Sequence, residues 1–497
     1  MAAKTFSIGA PATTVADRLA SGKARRASCP RTTLARWEPA SDRRDPVSQI
    51  QEQEPARLPA LLPLRYARMG VSAFAFYRGT AAIMAADLAA ADNSGLLTQL
   101  CGDAHVANFG LFASPERSVV FDVNDFDETS PGPFEWDVAR LTTSLLLASR
   151  ANGFSTRQCE AITRLAATEY QRAIGSFADM NDLDVWYSRV EAGTLTAIGK
   201  AQAGARAKTA VTEGVRAAMQ RDRWSAIRKL TVSTDHGRRF IDQPPFLVPL
   251  NDDGQWWDRL EPAWRTYHDS LPPDRQRLLD RYRAVDLAHK VVGVGSVGLR
   301  AYIVLLQGRD EGDLLVLQAK QAVDSVVASR LPTVAVPSHQ GERVVLGQRL
   351  MQAATDIFLG WTTGPLGRDY YLRQLRDMKW SPDLSQLGPP GMRALASSCA
   401  QTLARAHARS GDSIAISGYL GSTEAFADAI VAFAKRYAEQ VNADYALFQA
   451  ALESGRLAGS GTVHDPAALG DQIRAELRSL PTDALTPQHP TQESAPA

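Results

Sequence analysis

The sequence predicts an α+β protein with a larger, mostly helical part and a smaller β-rich part. Two textures carry the prediction. From Asp137 to about Ala284 apolar residues recur at helical spacing, as in Val138, Leu141, Leu145 and Leu146, and again in Ile162, Leu165, Ala166 and Tyr170. From Val285 onward the pattern becomes short aliphatic runs broken by glycine, VVGVGSVGLRAYIVLLQG over 291–308 and LLVLQA over 314–319. A third observation locates the chemistry. Residues 96–140 hold a crowd of acidic and amide side chains between two short apolar runs.

In chain order, residues 1–55 are rich in Ala, Arg, Ser and Pro with little periodicity, which predicts a loosely ordered arm. Residues 55–63 form an Ala-, Leu- and Pro-rich extended entry. The Ala-rich stretch after Gly79 predicts a buried helix, and Arg78, among Phe74, Phe76 and Tyr77, either snorkels or pairs with an acid. Leu96, Leu97 and Leu100 begin one short strand and Val119–Phe121 form another. The stretch 182–225 reads as polar surface helices, ended by the segment from Arg238 to Pro245. Then come a strand, a glycine loop (Gly293, Gly295, Gly298), a strand, a turn and a strand ending on Lys320. Residues 340–354 predict an amphipathic helix, 358–363 and 369–375 two strands, and 394–408 a helix carrying His407. One or two helices follow over 423–452. A Pro- and Thr-rich tail follows Gly470. The resulting division is 1–55, 56–284, 285–380, 390–465 and 470–497.

Composition narrows the function. Lys and Arg number 55 against 54 Asp and Glu, a balance that argues against nucleic-acid or acidic-membrane binding. The four cysteines (Cys29, Cys101, Cys159, Cys399) form no CxxC, so neither a disulfide framework nor a zinc site is expected. No apolar run approaches a membrane span and no signal-peptide core is visible, so a soluble cytoplasmic protein is expected.

The acidic segment reads LCGDAHVANFGLFASPERSVVFDVNDFDETSPGPFEWDVAR over 100–140. Carboxylates are not buried without partners, so such a crowd calls for a cation, arginines or solvent. Singly, Asp103 reads as a helix cap, Asn108 as a turn residue and 122–128 as a solvated loop. His105 fits an orienting role better than a metal-binding one. Asp122 and Asp127 compete with Asp125 for a metal. The glycine triplet alone is weak, but a strand after it, rather than a helix, sets it apart from a dinucleotide fingerprint. Glycines let backbone N–H groups approach phosphates, and a lysine on the adjoining strand adds a point charge.

Two resemblances follow from these residues. The strings MGVSAFAFYRG, LCGDAHVANFGLF, FDVNDFDETSPGPFEWDVARL, KVVGVGSVG, GQRLMQAATDIFLGW, YYLRQLRDMK and LARAHARSGD, from about Asp45 to Ala450, resemble a bacterial family known only as a domain of unknown function, twenty-two fifty-two. More distantly, Asp103-x4-Asn108 followed by Asp125-Phe126 and Asp137-Val138-Ala139 is similar to the catalytic segment of kinase-like phosphotransferases, especially aminoglycoside phosphotransferases. Cys101-Gly102-Asp103 stands where those proteins have His-Gly-Asp, and the 394–408 helix resembles the one preceding their catalytic loop. This resemblance implies a two-lobed kinase-like fold. The order here is reversed, with the catalytic-looking loop before the glycine loop, which implies a circular permutation.

The resemblance further implies an ATP- and Mg-dependent phosphotransferase acting on an unidentified small-molecule or protein hydroxyl. Asp103 would be the base, with His105 beside it. Asn108 and Asp125, or Asp122, would hold metal. Gly293, Gly295, Gly298 and Lys320 would hold phosphates, and Glu342 or Gln348 would pair with the lysine. Three alternatives stay open: a nucleotidyl transferase, a non-catalytic nucleotide-binding module, and a metal-dependent hydrolase using Asp103, His105, Asp122 and Asp125.

Overall fold

The aliphatic runs 301–306 and 314–317 become neighbouring strands buried on both faces, which is why they read as continuous rather than alternating. In a computed structural model of the protein, the described residues are 13–220, 223–235, 237–250, 256–291, 293, 295–375, 379–457 and 466–478. Of the sequence-based expectations, the extreme N-terminus, the tail beyond 478 and residues 376–378 after the last strand lie outside them.

The architecture is mixed α+β. Near the acidic segment, β1 (Leu97–Leu100) pairs with β4 (Ser130–Pro133), and β2 (Phe109–Ala113) and β3 (Val119–Val123) form an antiparallel pair extended by β5 (Val190–Glu191). A hairpin follows, β6 (Thr231–Thr234) and β7 (Gly237–Phe240). The main sheet contains β8 (Leu247–Pro249), β9 (Arg283–Lys290), β10 (Ala301–Gln307), β11 (Leu314–Gln321), β12 (Gly360–Thr363) and β13 (Asp369–Gln374). Its order is β12-β13-β11-β10-β9-β8, antiparallel throughout.

Register sorts its side chains. Ala301, Lys320 and Tyr371 stand abreast, so they share one face, and Tyr302, Ala319 and Leu372 share the other. On the first face Ile303, Leu305 and Val316 pack with Ile227 and Phe240. On the second, Val304, Leu306, Leu315 and Leu317 pack with Tyr267 and Leu271. The largest core lies among the helices Phe134–Ala151, Thr156–Ala178, Pro389–Ser410 and Ala425–Glu453.

Two boundaries differ from the sequence-based division. The β-rich part begins before 285, because β8 and the helix Trp256–Asp269 belong to its sheet and core. The N-terminal arm is folded from residue 13. Thr14 and Asp17 form a capping box on the helix Val15–Ser28. That helix lies against Ser413–Leu420, with Arg26 donating to the Tyr419 carbonyl (2.8 Å) and Arg18 paired with Asp412 (2.8 Å). The contact depends on missing side chains, since a Cβ at Gly22 would sit 1.9 Å from the Ala415 oxygen. Such packing leaves little apolar periodicity to read.

Gly22→Leu is expected to overpack this contact and cost about 1–3 kcal/mol. Urea unfolding measures it, and an unchanged midpoint would remove the arm from the folded core.

Candidate active site

The loop after β1 and the loop after β3 are held by backbone-directed hydrogen bonds. Asp137, in the first turns of the helix Phe134–Ala151, accepts from the N–H groups of Cys101 (2.8 Å) and Gly102 (3.1 Å). Gly102 has φ +80°, and a Cβ there would sit 2.2 Å from the Glu128 carbonyl, so this turn takes only glycine. Asn108 donates its amide N–H to the carbonyls of Asp103 (3.1 Å) and Asp125 (2.9 Å), locking the two loops together. With its NH2 spent, its oxygen remains as the acceptor.

Asp103 lies beside Arg140, whose Nε donates to Oδ1 at 2.8 Å. His105 Nε2 stands 3.6 Å from the other carboxylate oxygen, close but beyond hydrogen-bond length. Burial, helped by Arg78 and Arg140, lowers the His105 pKa to about 4, so the imidazole is neutral near pH 7. That suits the orienting role.

Lys320 joins the sheet to the acidic loops. Its Nζ donates to Asp127 Oδ2 (2.7 Å) and to both oxygens of Asp125 (3.2 Å each), across 195 residues from Asp125. Its side chain is 5% exposed. Burial alone would depress its pKa, and Asp125 and Asp127 reverse that and raise it. Burial would likewise raise Asp125, and Lys320, Arg373 and Lys379 instead hold it well below the carboxylate range. Tyr371 donates to Asp127 Oδ1 (2.7 Å). The glycine loop joins β9 to β10, with Gly293 and Gly298 at positive φ, and its Ser296 donates to Asp127 Oδ2 (3.1 Å). Gly295 stacks near the Arg78 carbonyl. One site thus gathers Asp103, His105, Asn108, Asp125, Asp127, Lys320 and the glycine loop.

Three expected residues stand elsewhere. Asp122 is 1% exposed and turned into the helical core, where Arg405 Nη2 donates to both its oxygens (2.7 and 2.8 Å) and the Ala353 N–H adds a third bond (2.9 Å). Asp122 lies within β3, which is buried on both faces, so its carboxylate has to find a partner inside the protein. Glu342 shares a face of the helix Gln340–Met351 with the exposed Leu346, four residues on. Gln348 donates to Gln352 (2.9 Å). The residue of this helix that reaches the site is Arg343, which donates to the carbonyls of Asp127 (2.9 Å), Thr129 (2.7 Å) and Val323 (2.9 Å). Lys320 takes its counter-charges from Asp125 and Asp127 instead of a helical acid. His407 is buried, with Nδ1 on the Tyr170 hydroxyl (2.7 Å) and Nε2 3.4 Å from Asp137.

Sequence reasoning weighed Asp127 only as a rival to Asp125. It missed Arg140, Ser296, Tyr371, Arg373 and Arg343, which lack a readable motif. Arg140 alone left a signal, as the one charge in the otherwise uncharged run from Val138 to Ser149.

The fold and site define a mixed α+β protein with a lysine–aspartate cluster against a glycine hairpin. The family model described as uncharacterized protein conserved in bacteria matches residues 57–451, well over half of the chain, and the protein belongs to that family. No curated protein and no solved structure matches it. No helix among the described residues is long and apolar enough to cross a membrane.

Two predictions follow from the charges. Arg405→Ala strands Asp122 in the core and is expected to cost about 3–5 kcal/mol in denaturant unfolding, and a loss under about 1 kcal/mol would contradict the assignment. Glu128 is pushed up to about 7 by burial, with Asp127 and Asp103 adding repulsion. A carboxyl raised in the folded state binds its proton more tightly there than in the unfolded chain. Its stabilisation is therefore complete below about pH 4.5 and lost as pH rises through about 7. Glu128→Gln should flatten that decline, measured as unfolding free energy against pH. An unaltered slope would show that Glu128 ionises normally.

Proposed function

We propose that this protein is a cytoplasmic ATP- and Mg²⁺-dependent phosphotransferase with a circularly permuted, kinase-like arrangement. The observation that carries the reading is the meeting of Lys320 with Asp125 and Asp127 under the glycine loop, from segments 195 residues apart. The free, buried state of all four cysteines supports a reducing compartment.

The donor set suits magnesium. Asp125 is 38% exposed at its side chain, Asp127 stands beside it, and the Asn108 oxygen faces away from its two carbonyl bonds. Among the described residues no group of three or more His, Cys, Asp or Glu could cage a metal alone. A small hard cation that keeps its waters and shares phosphate oxygens needs only one or two carboxylates. Bound there, the metal would neutralise phosphate charge during transfer.

The chain's own residues do the rest. Lys320 exchanges its carboxylate partners for phosphate oxygens, and the N–H groups of the glycine loop cover the same phosphates. Asp103, oriented by Arg140, accepts the proton of the acceptor hydroxyl. Arg78 lies beside Asp103 with its Nε buried and without a hydrogen-bond partner, and its pKa is lowered by burial. A partly buried guanidinium with an unsatisfied Nε can take a further anion beside Asp103, and a transferring phosphoryl group supplies one. Catalysis of this kind needs positioning and charge neutralisation more than covalent chemistry.

Asp103→Asn should lower transfer by ~10²–10⁴ while sparing ATP binding, because Asn is nearly isosteric. Lys320→Ala and Asp125→Ala should each weaken Mg²⁺-dependent ATP binding, and their effects should be non-additive. Calorimetric titration and phosphate-transfer assays measure these. Wild-type turnover in Asp103→Asn, or strictly additive losses at the other two positions, would end this reading.

A further inference from the structure

The six-stranded sheet has a second site on the face turned away from Lys320. Tyr302, Ala319 and Leu372 lie abreast on that face and form the floor of a pocket. The helix Trp256–Asp269 roofs it with Trp257, Trp264 and Tyr267, and the β12–β13 hairpin closes one end with Tyr370 and Arg368. The enclosed volume is about 90 Å³, open to solvent on one side.

Its chemistry is lopsided. The walls are almost wholly carbon and five of the lining residues are aromatic. No acid lines it, whereas two arginines, Arg300 and Arg368, do. Arg368 sits half-buried at the hairpin and makes no side-chain hydrogen bond or ion pair among the described residues. Beyond Tyr302 on the same face, His289 is 1% exposed and packs edge-on to that ring at 5.7 Å. Both of its ring nitrogens lack a hydrogen-bond partner.

We propose that this pocket binds a small aromatic carboxylate, its ring among the tryptophans and tyrosines and its carboxylate on Arg368. An aromatic wall favours a flat ring through offset and edge-on contacts. A dry cavity of ~150 Å³ holds benzene whole, so this smaller one, open on one side, takes one ring edge-first with its substituent outward. An arginine without a counter-ion at the mouth selects an anion over a neutral molecule, and the planar guanidinium matches a carboxylate. The site is independent of the phosphotransferase reading, since none of the residues assigned to ATP, metal or the acceptor lines it.

The test uses the full chain, with phenylacetate and its neutral analogue phenylacetamide as probes. Trp257 and Trp264 provide an intrinsic fluorescence signal, checked by calorimetry. Wild type should bind phenylacetate saturably and the amide about tenfold more weakly, the ratio expected for one charge-assisted contact. Arg368→Gln should lower phenylacetate affinity about tenfold and leave the amide unchanged. Ala263→Phe, which fills the pocket from the roof helix, should abolish binding of both probes. The hairpin variant keeps the test open even if the filled variant fails to fold. No saturable binding to wild type, or equal phenylacetate affinity in wild type and Arg368→Gln, would overturn the proposal.

Discussion

The buried ammonium of Lys320 ties the six-stranded sheet to the acidic loop after β3. A lysine 5% exposed at its side chain is costly to leave unpaired, and Asp125 and Asp127, in the loop after β3, supply the compensating charge. Each partner is equally dependent. Asp127 also accepts from Tyr371 of β13 and Ser296 of the glycine hairpin, so three separate pieces of the sheet region converge on one acidic loop. Charges this close and this shielded interact far more strongly than surface pairs.

Around that contact the loops are fixed by bonds to backbone. Asp137 gathers the N–H groups of Cys101 and Gly102, Asn108 gathers the carbonyls of Asp103 and Asp125, and Arg343 gathers those of Asp127, Thr129 and Val323. The return strand segment is tied as well, since Trp380 exchanges two backbone hydrogen bonds with Leu111 of β2. Such a frame leaves Asp103, the Asn108 oxygen and the edge of Asp125 as the groups free to meet a ligand. A site that must position reactants gains from having its loops set before binding.

Much of this was legible because it was local. The strand–glycine loop–strand–lysine order showed in the aliphatic runs, and the Asp103, Asn108, Asp125 and Asp137 spacing marked the loops that meet. What escaped depended on three-dimensional neighbours. Asp122 and Asp125 are equally plausible ligands in one dimension, but Asp122 lies inside the buried strand β3 and pairs with Arg405, 283 residues away, whereas Asp125 lies in the loop beyond it. The lysine's partner was sought on the helix Gln340–Met351, whereas that helix presents Arg343 to the site and turns Glu342 outward. The N-terminal helix escaped because its contact rests on Gly22 and Ala415, whose small size leaves no apolar stripe. Tyr371 and Arg373 look like ordinary strand residues until β13 is placed beside β11.

The central claim is that the glycine hairpin, the lysine strand and the acidic loops serve one nucleotide. Hydrogen exchange with and without a non-hydrolysable ATP analogue and Mg²⁺ tests it most directly. Simultaneous slowing of exchange in 293–300, 314–321 and 122–128 is the result this account predicts. Protection of the acidic loops by Mg²⁺ alone, with the glycine hairpin and the lysine strand unaffected by nucleotide, would contradict it.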